Sequence, residues 1–250
     1  MNTYKCLVCL CDAALFDVVD FNKNCLEGEG LFLPIMGHGV YYARCNNCGY
    51  TFAPEFGAWS SQDFLSMIYN DDYEKIDPGY KNDRPLKNAD ILNKVFGDYK
   101  SDIKHIDYGG GNGRLSELLR AFNWDSNSFD PFPNDTKINF DAGAFNLITA
   151  FEVFEHVPDP QSMMDNINYL MDDRSGLVIF STSVSDEFIK KNERLTWWYV
   201  APRNGHIGIH SSKSLRLLGE KYGYQYKNFS PSTHAYFKLL PNWANKLFVR

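Results

Sequence analysis

Apolar residues in the second half of the chain form short continuous blocks that alternate with amphipathic stretches of helical spacing. Such continuous blocks are typical of strands buried on both faces of a parallel sheet. The pattern predicts strands at 103–108, 127–129, 145–151 and 177–180, helices at 115–122 and 213–222, a helix beginning at Pro160, and terminal strands at 225–229 and 235–240. Repeated alternation of strand and helix indicates a doubly wound α/β sheet.

The N-terminal part of the chain is patterned differently. A turn-rich stretch at 52–57 precedes a helix that is predicted to begin at Ser60 or Ser61, and a polar and aromatic segment separates it from a helix at 86–96. We therefore divide the chain into an N-terminal module at 1–56, a helical linker or lid at 57–100 and an α/β domain at 101–250.

The cysteines include two Cys-x-x-Cys pairs, Cys6 with Cys9 and Cys45 with Cys48. The tight turn of each pair lets two thiolates face one tetrahedral ion, and strand-like segments at 14–21 and 39–44 suit a small zinc ribbon. A closed four-cysteine site leaves no open coordination position, so we predict a structural zinc. Free or redox-active thiols are the alternative. Cys11 and Cys25 are expected to be ordinary buried residues.

Composition and charge narrow the class of protein. The 250 residues are 44% hydrophobic and 16% aromatic, which suffices for one large packed domain and a small one. A formal net charge of −6 gives no general attraction to nucleic acid or to an anionic membrane. Because the chain has a polar start and no apolar run of membrane-spanning length, we expect a cytoplasmic protein.

A glycine-rich turn follows the first predicted strand of the α/β domain. Gly109, Gly111 and Gly113 permit a sharp bend and the close approach of a ligand at a helix start, as in nucleotide-binding sheets. Asp107 precedes the first glycine by two residues, and Asp130 ends the second predicted strand, where a carboxylate accepts hydrogen bonds from ribose hydroxyls. The ligand is therefore predicted to be a nucleoside derivative.

Three successive motifs resemble those of class I S-adenosylmethionine (SAM) dependent methyltransferases, in particular methyltransferase-23 and ubiquinone O-methyltransferase-like enzymes. The motifs are Asp107-Tyr-Gly-Gly-Gly-Asn-Gly113, Phe129-Asp-Pro-Phe132 and Phe145-Asn-Leu-Ile-Thr-Ala-Phe-Glu-Val-Phe-Glu-His-Val-Pro-Asp-Pro160. A Gly-x-Gly-x-Gly turn with an acid ahead of it favours SAM over NAD. The resemblance implies a Rossmann-like doubly wound sheet that binds SAM through Asp107, the glycines, Asp130 and Glu152.

The resemblance also assigns a role to the segment ahead of the sheet, which in such enzymes often closes over the cofactor. It makes Tyr73, Tyr80 and Arg84 lid candidates. The Arg84 guanidinium matches the methionine carboxylate of SAM, and a solvated loop charge is the alternative.

One departure from the family pattern lies between Asp130 and Phe145, where the chain is too short for a full helix and strand. The third strand of the fold is therefore expected to be shortened or lost. Asn139 and Asp141 are the candidates for adenine recognition.

Glu152, Glu155 and His156 stand where the fourth strand of the fold is expected to end. They resemble the metal motif of small-RNA 2′-O-methyltransferases and ubiquinone-biosynthesis O-methyltransferases, in which Mg²⁺ or Mn²⁺ engages the substrate's vicinal hydroxyls. His206 is placed like a further histidine of the former group. The alternative is a metal-free site in which His156, His206 or His210 is the general base.

The predicted loop at 196–206 combines tryptophan and tyrosine with Arg203. Aromatic faces stack on sugars and a guanidinium binds phosphate or carboxylate, although plain packing is the alternative. We predict methyl transfer to a small-molecule hydroxyl, preferably on a sugar or sugar nucleotide of surface polysaccharide or natural-product glycan biosynthesis. Methylation of carbon or nitrogen on a deoxysugar, quinone or other metabolite is the alternative.

Two alternatives belong to other classes of protein. A zinc-ribbon RNA-binding methyltransferase needs clustered Lys and Arg, which the acidic charge disfavours. An inactive SAM-binding partner subunit is disfavoured by the intact glycine turn and Asp130.

Overall fold

The computed structural model describes residues 3–132 and 137–248, which form two β-sheets and the helices that cover them. The strands are β1 (Thr3–Lys5), β2 (Asp12–Asp20), β3 (Gly39–Cys45), β4 (Thr51–Phe52), β5 (Lys104–Tyr108), β6 (Asp125–Phe129), β7 (Leu147–Phe151), β8 (Leu177–Ser181), β9 (Gly208–Ile209), β10 (Gln225–Ser230) and β11 (Thr233–Phe237). The α-helices are α1 (Ser61–Met67), α2 (Tyr73–Ile76), α3 (Asp83–Phe96), α4 (Arg114–Ala121), α5 (Pro160–Leu170) and α6 (Ser212–Lys221).

The larger sheet has the strand order β10-β11-β8-β7-β5-β6. β6, β5, β7 and β8 are parallel, and β11 and β10 add an antiparallel pair at one edge. The burial of β7 and β8 reflects their near-continuous apolar sequence. This sheet confirms the predicted Rossmann-like α/β architecture, with element boundaries that differ from the predicted ones by a few residues.

Within the described residues, no strand lies between β6 and β7. Residues 137–146 contribute only an isolated bridge between Phe145 and Met171. The expected shortening or loss of the third strand therefore holds for this part of the chain, while residues 133–136 lie outside the described ranges. Asn139 and Asp141 are both exposed.

Local sequence signals fix the starts of two helices. The Ser60 side chain accepts a hydrogen bond from the backbone N–H of Asp63. The Asp63 carboxylate accepts one from the backbone N–H of Ser60, so α1 begins with a capping box. Asp159 caps α5 and Pro160 occupies its first turn, where a missing N–H leaves no hydrogen bond unmade.

The smaller sheet is antiparallel in the order β1-β2-β3-β4-β9. Its first four strands come from the N-terminal module, whereas β9 comes from the α/β domain and begins two residues after His206. Pairing of Thr51 with Ile209 therefore ties the module to the α/β domain. The division of the chain at residues 56 and 100 stays a prediction.

The N-terminal cysteine turns share one hydrophobic cluster with the larger sheet and with α5 and α6. A second cluster joins the smaller sheet to α1 and to the segment 189–209. Among the described residues, no helix combines the length and the apolar character that crossing a membrane requires.

Candidate active site

The glycine turn lies between β5 and α4 at the carboxyl edge of the larger sheet. Gly109, Gly111 and Gly113 have φ angles of +72°, +54° and +76°, a region that residues with a Cβ rarely adopt. A Cβ on Gly109 would lie 2.6 Å from the Val153 side chain, so the turn has no room for it there. At Gly111 the space is open, which leaves the backbone accessible to a ligand.

Two carboxylates flank this turn. Asp130 accepts hydrogen bonds from the backbone N–H of Gly111 at 2.7 Å and of Phe132 at 2.8 Å. Asp107 is buried and accepts a 2.7 Å hydrogen bond from the Thr149 hydroxyl. Burial raises the pKa of Asp107 to about 7, and the Thr149 hydrogen bond opposes that rise. Asp107, Asp130 and the three predicted glycines thus lie around one turn.

Glu152 follows β7 and is held in a left-handed conformation, with φ of +54°. The Ser181 hydroxyl donates to Oε1 of Glu152 at 2.6 Å and accepts from its backbone N–H at 2.8 Å. A non-glycine residue in this region marks backbone strain, which is common at functional sites. Glu152 is partly exposed and lies at the same carboxyl edge of the larger sheet as the glycine turn.

Two of the lid candidates lie on helices: Tyr73 is the first residue of α2 and Arg84 is in the first turn of α3. The Arg84 guanidinium donates to the Asp77 carboxylate at 2.5 Å, and its charge helps to lower the pKa values of His156 and His206. Arg84 is therefore close to the site and already ion-paired. Tyr73 is buried, and its hydroxyl donates to the Asn204 carbonyl at 3.2 Å.

Glu155, His156 and His206 form a compact cluster past the end of β7. One side-chain ligand atom from each lies within 4.8 Å of the others. Nε2 of His156 is 4.0 Å from Oε1 of Glu155, and the two imidazole rings are 4.9 Å apart between centroids. Glu152, predicted with them as a possible metal ligand, lies outside this group and is bonded to Ser181.

Tyr199 orients two members of the cluster. Its hydroxyl donates to Oε1 of Glu155 at 2.5 Å, and its carbonyl accepts from Nδ1 of His206 at 2.8 Å. The second carboxylate oxygen of Glu155, Oε2, is buried and has no hydrogen-bond partner among the described residues. A buried oxygen of this kind suits a proton, a cation or a ligand hydroxyl.

Burial dominates the electrostatics of this cluster. Burial raises the pKa of Glu155 to about 8, and repulsion from the nearby Glu152 carboxylate adds to this rise. Burial lowers the pKa of His206 to about 4 and holds the pKa of His156 well below its usual value. Both imidazoles are therefore neutral at physiological pH, and each keeps one ring nitrogen with a lone pair.

Two other predicted residues lie apart from the cluster. His210 is buried between the rings of Tyr50 and Phe154, with centroid distances of 4.6 and 6.0 Å. The Arg203 guanidinium donates to the Ile68 carbonyl at 2.7 Å and to the Asn70 side chain at 3.0 Å. Arg203 therefore ties the loop to the end of α1, where its guanidinium is already bonded.

Sequence reasoning missed the residues of the N-terminal module that reach this site. The Lys23 ammonium donates to the carbonyls of Trp197 at 2.8 Å and Val200 at 2.5 Å. The Cys25 backbone N–H donates to Asn204, and the Cys25 sulfur lies 3.8 Å from Nδ1 of His206. Sequence separations of more than 170 residues left no local signal for these contacts.

The sulfur atoms of Cys6, Cys9, Cys45 and Cys48 lie within 4.8 Å of one another. Cys6 and Cys48 are 3.6 Å apart and Cys9 and Cys45 3.5 Å, measured between sulfurs. Tetrahedral zinc with Zn–S bonds of about 2.3 Å places its sulfurs ~3.8 Å apart, so this donor set fits zinc. Backbone N–H donation from Cys48 to the Cys45 sulfur would stabilise thiolates.

The methyltransferase-23 family model, described as a methyltransferase domain, matches residues 80–227. This match covers more than half of the chain and includes the glycine turn, Asp130 and the Glu155, His156 and His206 cluster. The chain belongs to this family and is a SAM-dependent methyltransferase with the class I fold. A search of curated protein sequences gave no match.

Solved structures similar to this chain include three methyltransferases. The Burkholderia thailandensis 1,6-didemethyltoxoflavin-N1-methyltransferase, solved with bound 1,6-didemethyltoxoflavin and S-adenosylhomocysteine, is 14% identical with a TM-score of 0.49. The similarity covers 79% of this chain and 94% of that one. The plantazolicin methyltransferase BpumL is 15% identical with a TM-score of 0.47, covering 75% and 97%. The mitomycin 7-O-methyltransferase MmcR is 13% identical with a TM-score of 0.47, covering 72% and 60%.

Proposed function

We propose that the protein transfers the methyl group of SAM to a hydroxyl group of a sugar or sugar nucleotide, with His156 as the general base. The position of His156 carries this proposal. Its side chain is 16% exposed, whereas that of the adjacent Glu155 is fully buried, so His156 is the group an acceptor can reach. It follows Glu152 by four residues at the edge of the sheet that holds the glycine turn.

The surroundings of His156 favour one ring nitrogen as the base. Nδ1 lies 3.2 Å from the Tyr69 hydroxyl, and a backbone hydrogen bond to Gly205 raises the otherwise lowered pKa of the ring. Donation of the Nδ1 proton to these oxygens leaves the lone pair on Nε2. Nε2 takes the acceptor's hydroxyl proton while the acceptor oxygen attacks the methyl carbon and the carbon–sulfur bond breaks. The products are a methyl ether, S-adenosylhomocysteine and a proton released from His156.

The acceptor class is supported by the mixture of aromatic and polar groups around His156. The rings of Tyr69 and Phe132 are 5.4 Å apart between centroids, and both are partly exposed. Such rings stack on the apolar faces of sugars, while Tyr69 and the cluster offer hydrogen bonds to hydroxyls. A polyol from surface polysaccharide or natural-product glycan biosynthesis meets both conditions.

A panel of nucleotide sugars tests this proposal, with S-adenosylhomocysteine release as the readout. We expect His156→Gln to lower kcat by about 10²- to 10⁴-fold and to leave SAM affinity within about twofold. The matched control is His38→Gln, because His38 is 42% exposed on the N-terminal module and pairs with Glu55. Equal rates for the two variants, or no turnover across the panel, would defeat the proposal.

A metal-assisted route is the second candidate, and the convergence of Glu155, His156 and His206 supports it. Two imidazoles and one carboxylate suit Mn²⁺ or another transition metal better than Mg²⁺, which prefers oxygen ligands. When bound, the metal would lower the pKa of the accepting hydroxyl. Activity that disappears on chelation and returns with Mn²⁺ would favour this route over His156 as a base. Full activity after verified metal removal would exclude it.

The four cysteines are proposed to hold a structural zinc, which takes no part in the transfer. The remaining alternatives have distinct signatures in the same assays. Methylation of carbon or nitrogen would give a product without a methyl ether. Salt-sensitive binding of RNA would favour an RNA-modifying enzyme, and SAM binding without turnover in cell extract would favour a partner subunit.

A further inference from the structure

Four polar residues form a chain across the middle of the larger sheet, beneath the glycine turn. Ser126 is on β6, His105 and Asp107 are on β5, and Thr149 is on β7. The parallel register places His105 opposite Ser126 and Asp107 opposite Thr149. None of the four is more than 5% exposed, and the two central residues, His105 and Thr149, are fully buried.

The hydrogen bonds among these four side chains are short enough to define which atom carries each proton. The Thr149 hydroxyl donates to Oδ1 of Asp107 at 2.7 Å and lies 2.9 Å from Nε2 of His105. Because a hydroxyl has one proton, Nε2 must be the donor to Thr149. Nδ1 of His105 then carries a lone pair and accepts from the Ser126 hydroxyl at 2.7 Å.

We propose that His105 and Thr149 are positioning residues for SAM binding, which favour the ionised form of the Asp107 carboxylate and direct it at the glycine turn. Asp107 reaches the turn directly, since a Cβ on Gly110 would lie 2.7 Å from Oδ2 of Asp107. SAM carries a positive ammonium and a positive sulfonium, so a carboxylate beside the turn complements its charge. The inference rests on Asp107 as a cofactor residue and is independent of the acceptor.

A polar chain in a buried parallel sheet is otherwise unfavourable, because each buried polar group must be fully hydrogen-bonded. Burial lowers the pKa of His105 to about 3, so the ring remains neutral, and its hydrogen bonds to Ser126 and Thr149 place the single ring proton on Nε2. The acidic group that faces Asp107 is Asp130, which adds to the rise of its pKa to about 7. Affinity for SAM should therefore increase as pH rises through this value.

Calorimetric titration with SAM tests the inference at pH values about one unit below and one unit above 7. Thr149→Val keeps the shape and removes the donor, so the pKa of Asp107 rises further. We expect the Kd for SAM to increase roughly tenfold at the lower pH and less at the higher pH, with recovery in Thr149→Ser. Thr233→Val on β11 is the matched control and should bind SAM normally.

A loss that is equal at both pH values, or equal in Thr149→Val and Thr149→Ser, would contradict the inference. The wild-type protein offers a second test that needs no variant. Nitrogen NMR of His105 should show the neutral form with its proton on Nε2, and carboxyl-carbon NMR should show Asp107 titrating near pH 7. A proton on Nδ1 of His105 would contradict the proposed direction of hydrogen bonding, in which His105 donates to Thr149 and Thr149 donates to Asp107. These readouts require no methyl acceptor, so they separate this inference from the proposed function.

Discussion

The hydroxyl of Tyr42 on β3 donates a 2.7 Å hydrogen bond to the carbonyl oxygen of His206. This contact joins the N-terminal sheet to a histidine of the Glu155, His156 and His206 cluster. Directly beyond His206, the Ala53 N–H donates to the Ile207 carbonyl at 2.9 Å, and β9 completes the smaller sheet. The N-terminal module is therefore part of the framework that holds His206.

Removal of the Tyr42 hydroxyl should displace His206 without unfolding the protein. Tyr42→Phe leaves a buried carbonyl without its donor, which we expect to lower the free energy of unfolding by about 1–2 kcal/mol. We also expect kcat to fall several-fold while the Kd for SAM stays unchanged. Tyr41→Phe on the same strand is the control, because Tyr41 is 52% exposed. Identical kinetics in the two variants would mean that the module does not position His206.

The cysteine cluster predicts one tightly bound zinc per chain by elemental analysis. Cys45→Ser removes one of four thiolate ligands and should lose the metal and lower the Tm, since zinc binding contributes directly to folding. The expectation that Cys11 is buried was wrong, because it is exposed and lies outside the cluster. Cys11→Ser should therefore keep both the metal and the Tm. A zinc content that is unaffected by Cys45→Ser would contradict the proposed site.

Gly110 is a second point at which cofactor binding can be tested. A Cβ there would meet the Ser128 hydroxyl and the Asp107 carboxylate, so the turn must shift to accept Gly110→Ala. We expect a Kd for SAM at least about tenfold higher, by calorimetry. Gly57→Ala is the matched change, because a Cβ at Gly57 has no neighbour within 4 Å. Unaltered SAM affinity in Gly110→Ala would remove the turn from the cofactor site.

The buried His206 should make the protein acid-sensitive. Its pKa is lowered by burial to about 4 from an ordinary 6.5, so the unfolded chain takes up the proton first as pH falls. Stability is therefore lost between about pH 6.5 and pH 4, by up to about 3 kcal/mol from this group. The dependence of Tm on pH in this window should be shallower in His206→Gln than in wild type or His38→Gln. An equal dependence of Tm on pH in all three proteins would contradict the assignment of this acid sensitivity to His206.

Much of the fold was predictable because it is encoded locally. The continuous apolar sequence of β7 and β8, the capping residues Ser60 and Asp159, and the glycine turn each act within a few residues. The two Cys-x-x-Cys pairs likewise predicted the sulfur cluster that the structure forms. The exact ends of the strands depend on tertiary packing, and the predictions there differ by a few residues.

The interior of the site was not predictable, because its contacts join distant parts of the chain. Nothing near Lys23 or Tyr42 in sequence indicates that either side chain holds the segment that includes His206. The chain from Ser126 to Asp107 depends on the register of three strands. His210 is four residues from His206 and was an equally good candidate base by sequence. In the fold it packs against Tyr50 and Phe154, apart from the Glu155, His156 and His206 cluster.

Methyl transfer to a hydroxyl under the control of His156 is tested most directly by product analysis. The enzyme would be incubated with SAM bearing a ¹³C-labelled methyl group and with the nucleotide sugar that gives the highest turnover, and the product examined by NMR. We predict a labelled methyl ether on the sugar with wild type and His38→Gln, and essentially none with His156→Gln. A methyl group on carbon or nitrogen, or equal ether formation by His156→Gln, would contradict the central claim.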